Sequence, residues 1–249
     1  MIDSASVTSS GNIALESFSG SSGAMTVRAD GVITGNVGVT GAHLTSGTGN
    51  LTLEADRIGS TTTALKLDAR NIASLLARET VTTVDAIVIA SNGLTSLSAL
   101  DTRAGAVFNQ TGSLTLAGSV LADRLALSVD ASSSTSTDGS LIQNVGSRVL
   151  IDDDLNLAVD RDVILTGMTS LSGDIAITAG GAIIDGTADT ERTLLTTATA
   201  GKTITLHGAS VGGTGDADID LQTTTLTAVT ATAGDAVISS AGALSLGAM

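Results

Sequence analysis

The chain of 249 residues contains no cysteine, proline, tryptophan or tyrosine, and two phenylalanines are its only aromatics. Without cysteine there is no disulfide scaffold, thiolate metal site or cysteine nucleophile. So few aromatics leave little with which to fill a broad core, line a pocket or stack on sugar rings. Basic residues are scarce as well: eleven Lys and Arg stand against 25 Asp and Glu, a formal net charge of −14. Spread singly along an acidic chain, they make no stripe for nucleic-acid phosphates. Long hydrophobic runs are also missing. The longest, such as Ala86–Ala90, fall far short of the roughly 18 residues of a membrane span, although mean hydropathy is +0.39. Charged residues are only 14% and β-branched residues are abundant, which excludes disorder.

What remains is Ala, Val, Leu and Ile, diluted by 29 Gly and by Ser and Thr at about a quarter of the chain, well above ordinary usage. That composition fits a thin core of small aliphatic side chains. A five-residue unit recurs in it: Gly, a small polar residue, then apolar–x–apolar. It reads Gly11-Asn12-Ile13-Ala14-Leu15, Gly35-Asn36-Val37-Gly38-Val39, Gly49-Asn50-Leu51-Thr52-Leu53, Gly112-Ser113-Leu114-Thr115-Leu116, Gly173-Asp174-Ile175-Ala176-Ile177 and, more loosely, Gly234-Asp235-Ala236-Val237-Ile238. Glycine permits positive φ at a tight corner, the polar residue bonds its own backbone there, and the alternation makes a short strand. The last four units lie 61–63 residues apart, the span of three coils of roughly 20 residues each. Ala64–Ala69 aligns with Ala126–Ala131 in the same register.

Many short strands bounded by Gly or Asx, with no proline to interrupt inter-coil bonding, predict an all-β fold. We expect a right-handed parallel β-helix (β-solenoid) of about 11–12 coils. Residues 1–249 read as one solenoid segment, with both ends cut through a continuing pattern and no targeting signal at the N-terminus. The low-complexity stretch 131–140 is expected to loop out from a corner. Asn71–Val84 carries Ile72, Leu75 and Leu76 at helical spacing, which predicts a helical turn on the side of the solenoid.

These coils, with Phe108-Asn109-Gln110-Thr111-Gly112, Ile142-Gln143-Asn144-Val145-Gly146 and Ala179–Gly186, resemble the repeat regions of filamentous-haemagglutinin-like bacterial exoproteins. The resemblance covers most of the chain and is one of pattern and composition. It implies a right-handed β-helix inside a very large secreted or surface-displayed protein, exported by two-partner secretion or as an autotransporter passenger, and serving as stalk and adhesive surface.

Ile151-Asp152-Asp153-Asp154-Leu155 is the densest acidic cluster. On a strand Asp152 and Asp154 would point the same way, as candidate Ca²⁺ ligands or paired carboxylates of a polysaccharide lyase or hydrolase. No neighbouring His or aromatic completes such a site, and a solvated corner with a local Asp160–Arg161 contact is the simpler reading. Gly212–Asp220 approaches the Ca²⁺-binding nonapeptide, but Ala217 stands where the pattern needs Asp. Thr-x-Thr pairs cluster towards the C-terminal end, where β-propensity accounts for them. His43 and His207 lack ligand neighbours, so surface positions are expected. The sequons at Asn50 and Asn109 read as repeat corners. The resulting expectation is a non-enzymatic adhesive or structural segment, extracellular or on a bacterial surface, with no cofactor. Its partners would be flanking coils of the parent chain and host or neighbour-cell glycans or surface proteins, without nucleic acid or membrane insertion. The alternatives are a polysaccharide-active enzyme using Asp152–Asp154 and a passive spacer.

Overall fold

The computed structural model describes residues 4–20, 22–130, 139–187, 194–213, 218–222, 225–240 and 245–246. Among them every regular element is a strand, and the strands pair in parallel into two sheets of 15 and 14 strands. The register shows how the chain climbs. From Ile13 the same position passes through Ile33, Ile58, Ile87, Ala106, Leu125, Leu155, Ile175, Ile204, Leu226 and Leu246. Aliphatic stands on aliphatic at each step, so the buried face of one coil is covered by the next.

The chain is therefore a β-solenoid, of about 10 turns roughly 22 residues apart rather than 11–12 turns of 20. The coils are unequal in length. Ile87 lies against Ala106, 19 residues on, whereas Leu125 lies against Leu155, 30 residues on, in a coil that includes the additional strand Leu141–Gln143. The stretch 131–140 falls in the longest of these coils; all but Gly139 and Ser140 lie outside the described residues.

The cross-section changes along the axis. In the N-terminal coils the strands Phe18–Ser19, Leu44–Thr45 and Leu65–Asp68 form a third wall. The eight-residue strand Asp85–Asn92 then pairs with both Ile58 and Leu65–Asp68, so the second and third walls fuse into one. At Gly59, the corner these walls had made, φ is +75° and an added Cβ would lie 2.0 Å from the Val88 carbonyl oxygen. Only glycine fits that approach. Further on, the nine-residue strand Leu114–Ala122 divides. Its first part pairs with Leu141–Gln143 and its last with Arg148–Ile151, which restores three walls on the other side. The buried Gln143 builds this new corner: its Oε1 accepts Thr166 N–H at 3.0 Å and Gly167 N–H at 3.1 Å, and its Nε2 donates to the Gly167 carbonyl at 2.6 Å.

Asn71–Val84 is not helical. Asn71–Ala77 is a strand paired on both edges, and its register against Asn50–Ala55 shifts between Ile72 and Ser74. That β-bulge puts Ile72 and Leu75 on the same buried face three residues apart, which imitates helical spacing. The five-residue units also differ from expectation. Gly35–Val39 is a corner with Val37 82% exposed. Of the other units, those at 49, 112 and 234 lead into the first sheet and those at 11 and 173 into the second. The 61–63-residue recurrence thus does not mark equivalent sites throughout. It does for Leu65, which is three coils from Leu127 through Ile89 and Phe108. Among the glycines that open the units only Gly112 has positive φ, +85°. At Gly173 the need is contact: a Cβ would stand 2.1 Å from the carbonyl carbon of Asp153 in the preceding coil.

The core is a column of Ile, Leu, Val and Ala with Met25, Met168 and, at mid-length, Phe108, which is 1% exposed. Deleting a buried ring removes its transfer energy and leaves a hole that rigid coils cannot close. Phe108→Ala is expected to cost about 3–5 kcal/mol, read as a lower urea midpoint by far-ultraviolet circular dichroism.

Candidate functional site

Polar residues that open strands turn out to serve the next coil instead of their own backbone. Asn12 Oδ1 accepts Val32 N–H at 2.9 Å, and Asp162 Oδ1 accepts Ala182 N–H at 2.7 Å. Asp154 Oδ1 accepts Asp174 N–H at 2.9 Å, and Asp174 Oδ1 in turn accepts Thr203 N–H at 2.7 Å and its hydroxyl at 3.0 Å. Each carboxylate or amide supplies the acceptor that a ladder carbonyl supplies elsewhere, one rung before the strand begins.

Asp152, Asp153 and Asp154 occupy the corner between the strands Arg148–Ile151 and Leu155–Val159, so Asp152 and Asp154 do not share a strand face. Asp152 is exposed, and Asp154 is half-buried and bonded as described. Burial pushes the Asp123 carboxyl above its ordinary range; Arg124 opposes this, and Asp153 and Asp152 in the next coil add to it. Among the described residues no three His, Cys, Asp or Glu side chains gather as a metal-holding group. Arg161 Nε stands 3.8 Å from Asp160 Oδ2, the local contact expected there.

The outer face of the second sheet carries a shallow furrow of three troughs, each sharing lining residues with the next. The first, about 510 Å³, is lined by residues including Asn12, Arg57, Thr61 and Asp85. The second, about 320 Å³, shares Asp85 and adds Arg124, Asp154 and Asn156. The third, about 280 Å³, continues through Asn109, Ser128, Asn156 and Thr178 over an alanine floor. Asp154 is thus part of the furrow, and Asp152 lines none of these troughs. Arg124 Nη2 and Asp85 Oδ1 pair at 3.4 Å across two coils. Nothing in sequence marks that pair, because the partners are 39 residues apart and meet only through stacking.

Beside the furrow, at the corner between the sheets, Arg78 reaches back over two coils. It meets Glu54 at 2.7 Å, Asp56 at 3.3 Å, Asp30 at 4.0 Å and the Ala29 carbonyl at 2.7 Å, while Arg28 adds a 3.5 Å contact to Glu54. A bonded network of this kind holds coils together better than separate surface pairs.

His207 is exposed as expected, but His43 is buried, 1% exposed, because its imidazole takes part in the ladder. Asn50 opens a strand, and Asn109 lies inside the strand Gly105–Thr111 rather than at a corner. Thr205 stands between Ala176 and Ala228, so its Thr-x-Thr pair does not repeat from coil to coil. Gly212–Asp220 lies partly outside the described residues.

No protein-family model, curated protein or solved structure matches the chain.

Two outcomes are expected. Asp174→Ala removes the acceptor of two groups and should cost about 1–3 kcal/mol, seen as faster amide exchange at Thr203. Asp123→Asn should raise the melting temperature at pH 7. The folded-state pKa of Asp123 lies above its ordinary 3.8, so the charged group weakens the fold at neutral pH, and the gain should vanish below about pH 3.8 as both states become protonated.

Proposed function

We propose that this chain is a non-catalytic rod segment of a secreted or surface-displayed bacterial protein of the filamentous-haemagglutinin-like kind. It holds binding regions away from the cell and adds weak contacts of its own. The observation that carries this reading is the continuous ladder of about 10 turns, a rod of roughly 50 Å at the usual strand spacing. The core, the corner residues Asn12, Asp154, Asp162 and Asp174, and the Arg78 and Arg124 ion pairs join coil to coil. Glycans or surface proteins are the proposed partners, met along the furrow of the second sheet, where Asn109, Ser128, Asn156 and Thr178 offer hydroxyls and amides. Many such contacts of low individual affinity gain strength through repetition. An extracellular or cell-surface location fits a net charge of −14, which favours solubility and suppresses stacking of like chains.

A second reading, a polysaccharide lyase or hydrolase, is favoured by one observation: Asp154 lies in the furrow with Arg124 and Asp85. One experiment separates the readings. The protein is incubated with a panel of polysaccharides and matrix proteins, with and without Ca²⁺, and both retention and new reducing or unsaturated ends are scored. The expected result is retention without new chain ends. New ends that disappear in Asp154→Ala would establish the enzyme, and neither retention nor product would leave a passive spacer.

A further inference from the structure

His43 precedes the strand Leu44–Thr45 in the third wall of the N-terminal coils. Its backbone forms ordinary rungs: Phe18 N–H donates to the His43 carbonyl at 3.0 Å, and His43 N–H donates to the Lys66 carbonyl at 2.9 Å. Its side chain forms another. The buried Nδ1 accepts Lys66 N–H at 3.0 Å, so an imidazole does here what a carbonyl does elsewhere in the ladder. An accepting Nδ1 fixes the neutral tautomer with its proton on Nε2. Nε2 is buried and has no hydrogen-bond partner among the described residues. Gly35 keeps the space for the ring, since a Cβ there would stand 1.9 Å from Cε1 and 2.0 Å from Nδ1.

The charged groups nearby are few. The strand Leu65–Asp68 brings Lys66 and the exposed Asp68, and the link from Leu15 to Phe18 brings the exposed Glu16. The strands Phe18–Ser19 and Val32–Gly35 and the 36–42 corner bring none. Lys66 Nζ donates to the Val39 carbonyl at 2.7 Å, so ring and ammonium close the same corner.

We propose that His43 is a proton-operated latch: its neutral ring ties the 36–45 segment to the next coil, and its protonation releases that segment. An imidazolium would turn Nδ1 from acceptor to donor, setting two N–H groups face to face at the position of the present bond. It would also place a second cation near Lys66. Burial holds the His43 pKa below its ordinary 6.5; the Asn36 backbone opposes this and the Lys66 charge adds to it. The opened segment therefore takes up a proton before the closed one does. Closure is fully favoured above about pH 6.5 and loses that advantage as pH falls below it.

The test is amide exchange of the 249-residue chain between pH 7.5 and 5.0, corrected for the intrinsic pH dependence of exchange. We expect protection of 36–45 and of Lys66 to fall at least several-fold relative to the C-terminal coils on acidification. In His43→Gln, which keeps an acceptor but cannot titrate, the ratio should stay constant. Because that variant could fail to fold, the wild-type chain is also followed by NMR: the Lys66 amide shift should titrate together with the His43 ring. A flat exchange ratio in the wild-type chain, the same acid response in His43→Gln, or a Lys66 amide indifferent to His43 protonation would each overturn the latch.

Discussion

The backbone ladder between successive coils, repeating at about 4.8 Å, governs almost every other feature of this molecule. Parallel strands must meet their neighbours in register, so each coil has to return to its starting point displaced by one strand spacing. A proline would remove a donor from that ladder. A large aromatic fits the narrow interior only rarely, and Phe108 is the one fully buried example among the described residues. Close approach also decides the glycines: the space for a Cβ is already occupied at Gly173 by the preceding coil, and at Gly35 by the His43 ring of the same coil.

Within that constraint the corners are free to vary, and they do most of the shaping. Fusion of two walls at Asp85–Asn92 and division of Leu114–Ala122 move the bend of the cross-section from one side of the rod to the other. The polar residues at corners follow the same logic. A buried donor left unpaired is costly, and Asn12, Asp154, Asp162, Asp174 and Gln143 each accept an N–H of the following coil. Each of these side chains thereby takes part in holding one coil to the next.

The furrow on the second sheet has a different origin. Outward positions there carry small side chains, so neighbouring coils leave a shallow trough instead of a ridge. Its charged members, Asp85, Arg124 and Asp154, come from separate coils and meet across the stack. Lys66 and His43 are likewise brought together by one turn of the solenoid. These groupings run up the stack, joining residues of successive coils, whereas a linear reading searches along the chain.

What the sequence determined by itself was the class of fold: short alternating strands, no proline and a recurring Gly–polar–apolar unit allow little besides stacked coils. It also marked the corners, through Gly and Asx. It did not determine the coil length, because coils of 19 and 30 residues stack in the same register. Nor did it reveal the bulge that gives Ile72 and Leu75 a helical spacing within a strand, since a bulge shows only against its neighbour. The division of Asp152 from Asp154 came from the strand ending at Ile151, and the burial of His43 and the pairing of Arg124 with Asp85 were decided by stacking alone. Those contacts join residues a full coil or more apart, at distances set by how many residues each corner holds.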